Sequence, residues 1–111
     1  MAKNEKIPPL ILAVDDDRTM LMTLEAKLNK QGYRVVTAIN GKSACEAIKK
    51  LHNKLDAILL DRMMPDIDGL RIVEWLKKQD NLTKPPIIIQ TGSDKPEQIK
   101  EGLDEIGRAH V

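Results

Sequence analysis

Short runs of uninterrupted apolar residues alternate along this chain with longer segments whose apolar residues recur at helical spacing. Leu10-Ile11-Leu12-Ala13-Val14 is too short for a helix and stops at Asp15-Asp16-Asp17, so it reads as a strand. Thr19 to Gln31 sets Met20, Leu21, Leu24 and Leu28 on one helical face, with Gly32 as its stop. Arg34-Val35-Val36-Thr37-Ala38, short and β-branched, predicts a second strand. Lys42 to Leu51 carries Ala44, Ala47, Ile48 and Leu51 as a buried stripe. Ala57-Ile58-Leu59-Leu60 predicts a third strand, and a turn at Pro65-Asp66-Ile67-Asp68-Gly69 opens a helix with Leu70, Val73 and Leu76 inward. Pro86 to Gln90 predicts a fourth strand. Lys95 to about Ile106 predicts a weaker helix through Ile99, Leu103 and Ile106. Residues 1–9, ending in Ile7-Pro8-Pro9, read as a tail, because paired prolines neither join a sheet ladder nor propagate a helix.

Strand and helix therefore alternate from residue 10 onward. Strands that are apolar at successive positions are buried on both faces, and the intervening helices allow them to run parallel. Right-handed crossovers then give one open, doubly wound α/β domain with helices on both sides of the sheet.

Composition narrows the class. The chain has 111 residues, enough for one domain. With 18 Lys+Arg against 17 Asp+Glu its formal net charge is +1, so no bulk attraction to nucleic acid or an anionic membrane is expected. One cysteine cannot form a disulfide within the chain. No apolar run approaches the ~20 residues of a membrane span, and no signal peptide is visible, so a cytoplasmic location is expected.

Ligand sites of open α/β sheets lie beyond the carboxyl ends of the strands. Three predicted strands run there into polar residues: the first into Asp15-Asp16-Asp17, the third into Asp61, the fourth into Thr91. Carboxylates gathered in one pocket repel and raise each other's pKa unless a cation shares the site. A hard divalent ion, Mg²⁺ above all, suits such oxygen ligands. An acidic Mg²⁺ pocket beside a hydroxyl suits phosphoryl chemistry, with a carboxylate as nucleophile. Asp17 has a plainer reading as the N-cap of the first helix.

These residues carry a resemblance. Leu10 to Asp17, the string Ile58-Leu59-Leu60-Asp61-Arg62-Met63-Met64-Pro65-Asp66-Ile67-Asp68-Gly69-Leu70, and Ile87-Ile88-Ile89-Gln90-Thr91-Gly92 together resemble a response-regulator receiver domain of two-component signalling, over residue 10 to the end. The resemblance implies a flavodoxin-like sheet of order 2-1-3-4 and a phosphoryl group accepted on Asp61 from a sensor histidine kinase or a histidine phosphotransfer domain. It implies Mg²⁺ held by Asp16, Asp61 and the main-chain carbonyl of Met63, with Asp15 acting through water. It makes Thr91 the switch residue, and the domain a phosphoacceptor that assists its own phosphorylation and dephosphorylation rather than an enzyme. An effector domain would follow in the parent protein. The family's essential lysine would fall just beyond Val111, so this chain is expected to lack it, together with the fifth strand and helix. The apolar surface they would cover then favours dimerisation or segment exchange. One alternative is a vestigial receiver acting as a protein-interaction module. Another follows from Asp15-Asp16-Asp17-Arg18-Thr19, which fits the Asp-x-Asp-x-Thr start of haloacid-dehalogenase-type phosphatases and would make Asp15 the nucleophile.

Other motifs fail on spacing. Gly41-Lys42-Ser43 lacks the upstream glycine of a P-loop, Val36 standing in its place, and reads as a turn into a helix. An EF-hand around Asp66-Ile67-Asp68-Gly69 would need ligands at Met64 and Trp75. Cys45, His52 and His110 lack zinc spacing, which leaves Cys45 an inert helix residue and His52 a solvated helix end. Met20, Met22, Met63 and Met64 read as packing or loop residues.

Overall fold

The computed structural model describes residues 7–61, 64 and 68–90. The predicted helix at Lys95–Ile106, Thr91, Met63 and His110 lie outside the described residues. The described elements run β1 (Leu10–Val14), α1 (Arg18–Lys30), β2 (Arg34–Ala38), α2 (Gly41–Leu51), β3 (Ala57–Asp61), α3 (Gly69–Lys77) and β4 (Ile87–Gln90). The strands form one parallel sheet in the order β2-β1-β3-β4, the doubly wound arrangement expected from the alternating pattern.

Alternation along each strand divides the core in two. Leu10, Leu12 and Val14 of β1, with Ile58 and Leu60 of β3, face the layer of α2 and α3, where Ala44, Ile48, Ile72 and Leu76 meet them. Ile11 of β1, with Ala57 and Leu59 of β3, faces the other side and packs with Leu28 of α1. β1 and β3 are the apolar strands buried on both faces; β2 exposes Arg34 and Thr37, as the outermost strand on its side can.

The helix starts are set by side chains. Asp17 caps α1, its carboxylate accepting from the Thr19 and Met20 amides at 2.9 and 3.1 Å. Asn40 and Ser43 form a reciprocal capping box at α2, which is the role of the Gly41-Lys42-Ser43 turn. Asp68 caps α3 through the Leu70 amide at 2.9 Å. After α1, Gly32 takes φ +97°, a backbone conformation that side chains disfavour, and the chain reverses there. Replacing Asp17 with alanine should cost about 1 kcal/mol of stability by urea denaturation and leave divalent-cation affinity unchanged, since this carboxylate is committed to the helix.

Three expectations need correction. Met20 is 51% exposed, and Leu70 is 37% exposed, so neither lines the core. Each sits in the first turn of its helix; the inner face of α3 is Gly69, Ile72 and Leu76, with Val73 partly buried beside it. His52 is not merely a solvated helix end: its Nδ1 accepts the Thr83 amide at 3.0 Å. Met64 packs in the core and Met22 is exposed, in keeping with packing or loop roles. Among the described residues, no helix is long and apolar enough to cross a membrane.

Candidate functional site

Strand register builds the site. Val14 of β1 lies opposite Leu60 of β3, so the next residues on these parallel strands, Asp15 and Asp61, emerge side by side at the carboxyl edge of the sheet. The Asp15 amide donates to the Ala38 carbonyl of β2 at 3.1 Å, which prolongs the β1–β2 ladder by a residue and fixes where the acidic segment leaves the sheet. The chain then turns: the Asp15 carboxylate accepts the Asp17 amide at 2.9 Å, which orients Asp15 and swings Asp16 to the surface. Asp61, the last residue of β3, pairs in register with Gln90 of β4.

Asp15, Asp16 and Asp61 each offer a carboxylate oxygen such that all three lie within 4.8 Å of one another. Asp15 and Asp61 are half-buried, and Asp16 is exposed. The sequence expectation that these three meet is therefore met by the fold, and Asp17 stands apart as a cap. Thr91 and Met63, the other expected members, lie outside the described residues.

The electrostatics are those of crowded carboxylates. Asp15 is pushed up to about 6, first by burial, then by the Asp61 charge, a hydrogen bond shared with the Asp61 side chain, and the Asp16 charge; the Asp17 amide works in the opposite direction. Carboxyls crowded at this spacing favour a proton held between Asp15 and Asp61 over two bare charges. A divalent cation would take the place of that proton and offset two of the three negative charges, so the donor set fits a hard, oxygen-seeking ion.

A pH effect follows. Asp15 binds its proton more tightly in the folded chain, near 6, than in an unfolded chain, near 3.8. The folded state therefore holds the extra proton between those values, and the group's contribution to stability, full below the lower one, is lost as pH rises through the upper one. Asp15→Asn has no such proton to lose. In EDTA, its urea-unfolding stability relative to the parent chain should be higher at about pH 7 than at about pH 4. An equal difference at both pH values would contradict the crowding.

Comparison with known proteins is consistent with this geometry. The sequence model of the response regulator receiver domain matches residues 11–110. Response regulator MprA of Mycobacterium sp. (strain KMS) is 38% identical over 99 residues, 88% of this chain and 41% of that protein. The two-component response regulator ARR10 of Arabidopsis thaliana is 32% identical over 93 residues, 84% of this chain and 16% of that protein. The chain thus spans well under half the length of these curated relatives. Among solved structures, the chemotaxis protein CheY4 of Vibrio cholerae superposes with a TM-score of 0.70 at 30% identity, covering 90% of this chain and 81% of that one. A chain of the CheX–CheY–BeF₃–Mg²⁺ complex from Borrelia burgdorferi gives a TM-score of 0.71 at 25% identity, covering 88% and 72%.

Proposed function

This chain belongs to the response regulator receiver domain family, and from that premise we propose that it accepts a phosphoryl group on Asp61 in a Mg²⁺-dependent step. The observation that carries the reading is the convergence of the Asp15, Asp16 and Asp61 carboxylates within 4.8 Å at one sheet edge. Asp16, Asp61 and the Met63 carbonyl would hold the ion, with Asp15 acting through water. When bound, Mg²⁺ supplies positive charge that offsets the phosphoryl oxygens. A support from a relative is that a structurally similar chain occurs in a complex described with BeF₃ and Mg²⁺.

The chemistry on this chain's side is short. An Asp61 carboxylate oxygen attacks phosphorus in line, the bond from phosphorus to the donor nitrogen breaks, and the departing imidazole keeps the electron pair. Asp15 and Asp16 keep the approach negative unless a cation is present, which makes the step ion-dependent. The Thr91 hydroxyl would then donate to a phosphoryl oxygen and bias the segment that follows it, a local charge event with a conformational readout. Water attack on the aspartyl phosphate releases phosphate and resets Asp61. The donors would be a sensor histidine kinase or a histidine phosphotransfer domain in the cytoplasm, and an effector region of a longer parent protein would read the state.

The test is incubation with a small acyl-phosphate donor, with and without Mg²⁺, followed by mass-spectrometric mapping. Mg²⁺-dependent label on Asp61 is expected. Label on Asp15 would support the phosphatase-type alternative, and no label would support the vestigial interaction module.

A further inference from the structure

At the opposite end of the sheet from the acidic residues, α2 is tied to the segment that leads into β4. The Thr83 amide donates to Nδ1 of His52, the residue that caps the C-terminus of α2, at 3.0 Å across 31 positions of sequence. A ring nitrogen that accepts a hydrogen bond must carry its lone pair, so this contact exists only with an imidazole unprotonated at Nδ1. We propose that His52 is a proton-operated latch, holding the stretch around Thr83 against the end of α2 when its ring is neutral and releasing it when the ring is protonated.

The surroundings give the latch its leverage. The residues before Thr83 are held onto α3 and by turns of their own: Gln79 N–H donates to the Leu76 carbonyl of α3 at 3.0 Å, Leu82 N–H to the Gln79 carbonyl at 3.3 Å, and the Lys84 ammonium to the Gln79 carbonyl at 2.8 Å. Pro85 and Pro86 follow and have no N–H to donate, so they offer β3 and α2 no replacement donor. Leu82 packs on the core, and the Pro86 carbonyl accepts the Ile58 amide at 2.9 Å, which anchors the start of β4 whether or not the latch is closed. Pro85 is buried as well, so opening is local, confined to Thr83 and Lys84.

Protonation is a simple exchange: a solvent proton binds Nδ1, the ring then carries hydrogen on both nitrogens, and two N–H groups face each other where a donor faced an acceptor. The charged groups on the elements around His52 are Lys42, Glu46, Lys49 and Lys50 of α2, Lys54 and Asp56 of the following turn, Arg71, Glu74 and Lys77 of α3, and Lys78, Asp80 and Lys84 of the segment itself. Lys49 already lies over the Trp75 ring of α3, 5.9 Å from its centroid. This inference does not depend on phosphoryl acceptance.

Amide hydrogen exchange of Thr83 by NMR, with the His52 ring titrated in the same sample, tests it. The Thr83 protection factor should fall about three- to tenfold as His52 becomes protonated, while Leu12 and Leu59 in the sheet stay protected. His52→Ala should show the low Thr83 value at every pH. Thr83 protection that is unchanged when His52 is fully protonated, or equal in His52→Ala and the parent chain at neutral pH, would overturn the latch.

Discussion

Asp61→Asn should abolish phosphoryl acceptance while the chain stays folded. The amide has the shape of the carboxylate but neither its charge nor its nucleophilic oxygen, so the attack has no agent. Asp15→Asn and Asp16→Asn should keep the acceptor and lose cation affinity, so that label still reaches Asp61 but needs far more Mg²⁺. Asp61→Asn carries a second expected effect, on its neighbour. Part of the rise in the Asp15 pKa comes from the Asp61 charge and from the hydrogen bond between the two side chains. Burial, the largest cause, stays. The Asp15 carboxyl signal, followed by ¹³C NMR, should therefore titrate below 6 in Asp61→Asn, yet above the ordinary value of 3.8. Phosphoryl label on the Asp61→Asn protein would show that the acceptor lies elsewhere.

The largest effect on stability is expected at Leu60. It is fully buried in β3, paired in register with Val14 on one side and Ile89 on the other, and packed in the core beneath α2 and α3. Leu60→Ala removes buried methyl groups and leaves a cavity that flanking strands cannot close, at a cost of about 2–5 kcal/mol. Domains of this size have only ~5–15 kcal/mol in hand. The urea midpoint should drop accordingly with an unchanged slope. Met22→Ala is the contrast: at 71% exposure it should stay within about 0.5 kcal/mol of the parent chain. Because Leu60 immediately precedes Asp61, the same truncation should also loosen the acidic pocket and weaken cation binding. A Leu60→Ala protein as stable as the parent would show that β3 is not the centre of the core.

Much of this was legible in the residue pattern, for a physical reason. β1 and β3 are apolar at every inner position because they are buried on both faces, and that signal needs no partner to be read. Parallel strands also point one way, so the residues just past them must share an edge, which is how Asp15, Asp16 and Asp61 could be grouped before their distances were known. Asp17 was separable because a capping carboxylate has its own position relative to a helix start. Where the helical reading slipped, periodicity was the limit. Leu70, Val73 and Leu76 are each three residues apart, and each such step falls about 60° short of a full turn, so the outer two diverge widely around α3. Ile72 and Leu76, four apart, define the face that the sheet selects. Met20 fits the α1 stripe by spacing, but sequence does not say how far a helix's first turn extends past its sheet. The His52–Thr83 contact had no signal at all, since it depends on where a loop lands across 31 positions.

The central claim is that Asp15, Asp16 and Asp61 form one cation site, and paramagnetic broadening by Mn²⁺, a stand-in for Mg²⁺, tests it most directly. On titration into ¹⁵N-labelled protein at substoichiometric Mn²⁺, the amide signals of Asp15, Asp16 and Asp61 should vanish first and together, and excess Mg²⁺ should restore them. Asp56 and Asp80, outside that cluster, should keep their signals at the same Mn²⁺. Broadening that begins at Asp56 or Asp80, or that spares Asp61 while Asp15 and Asp16 disappear, would contradict the account.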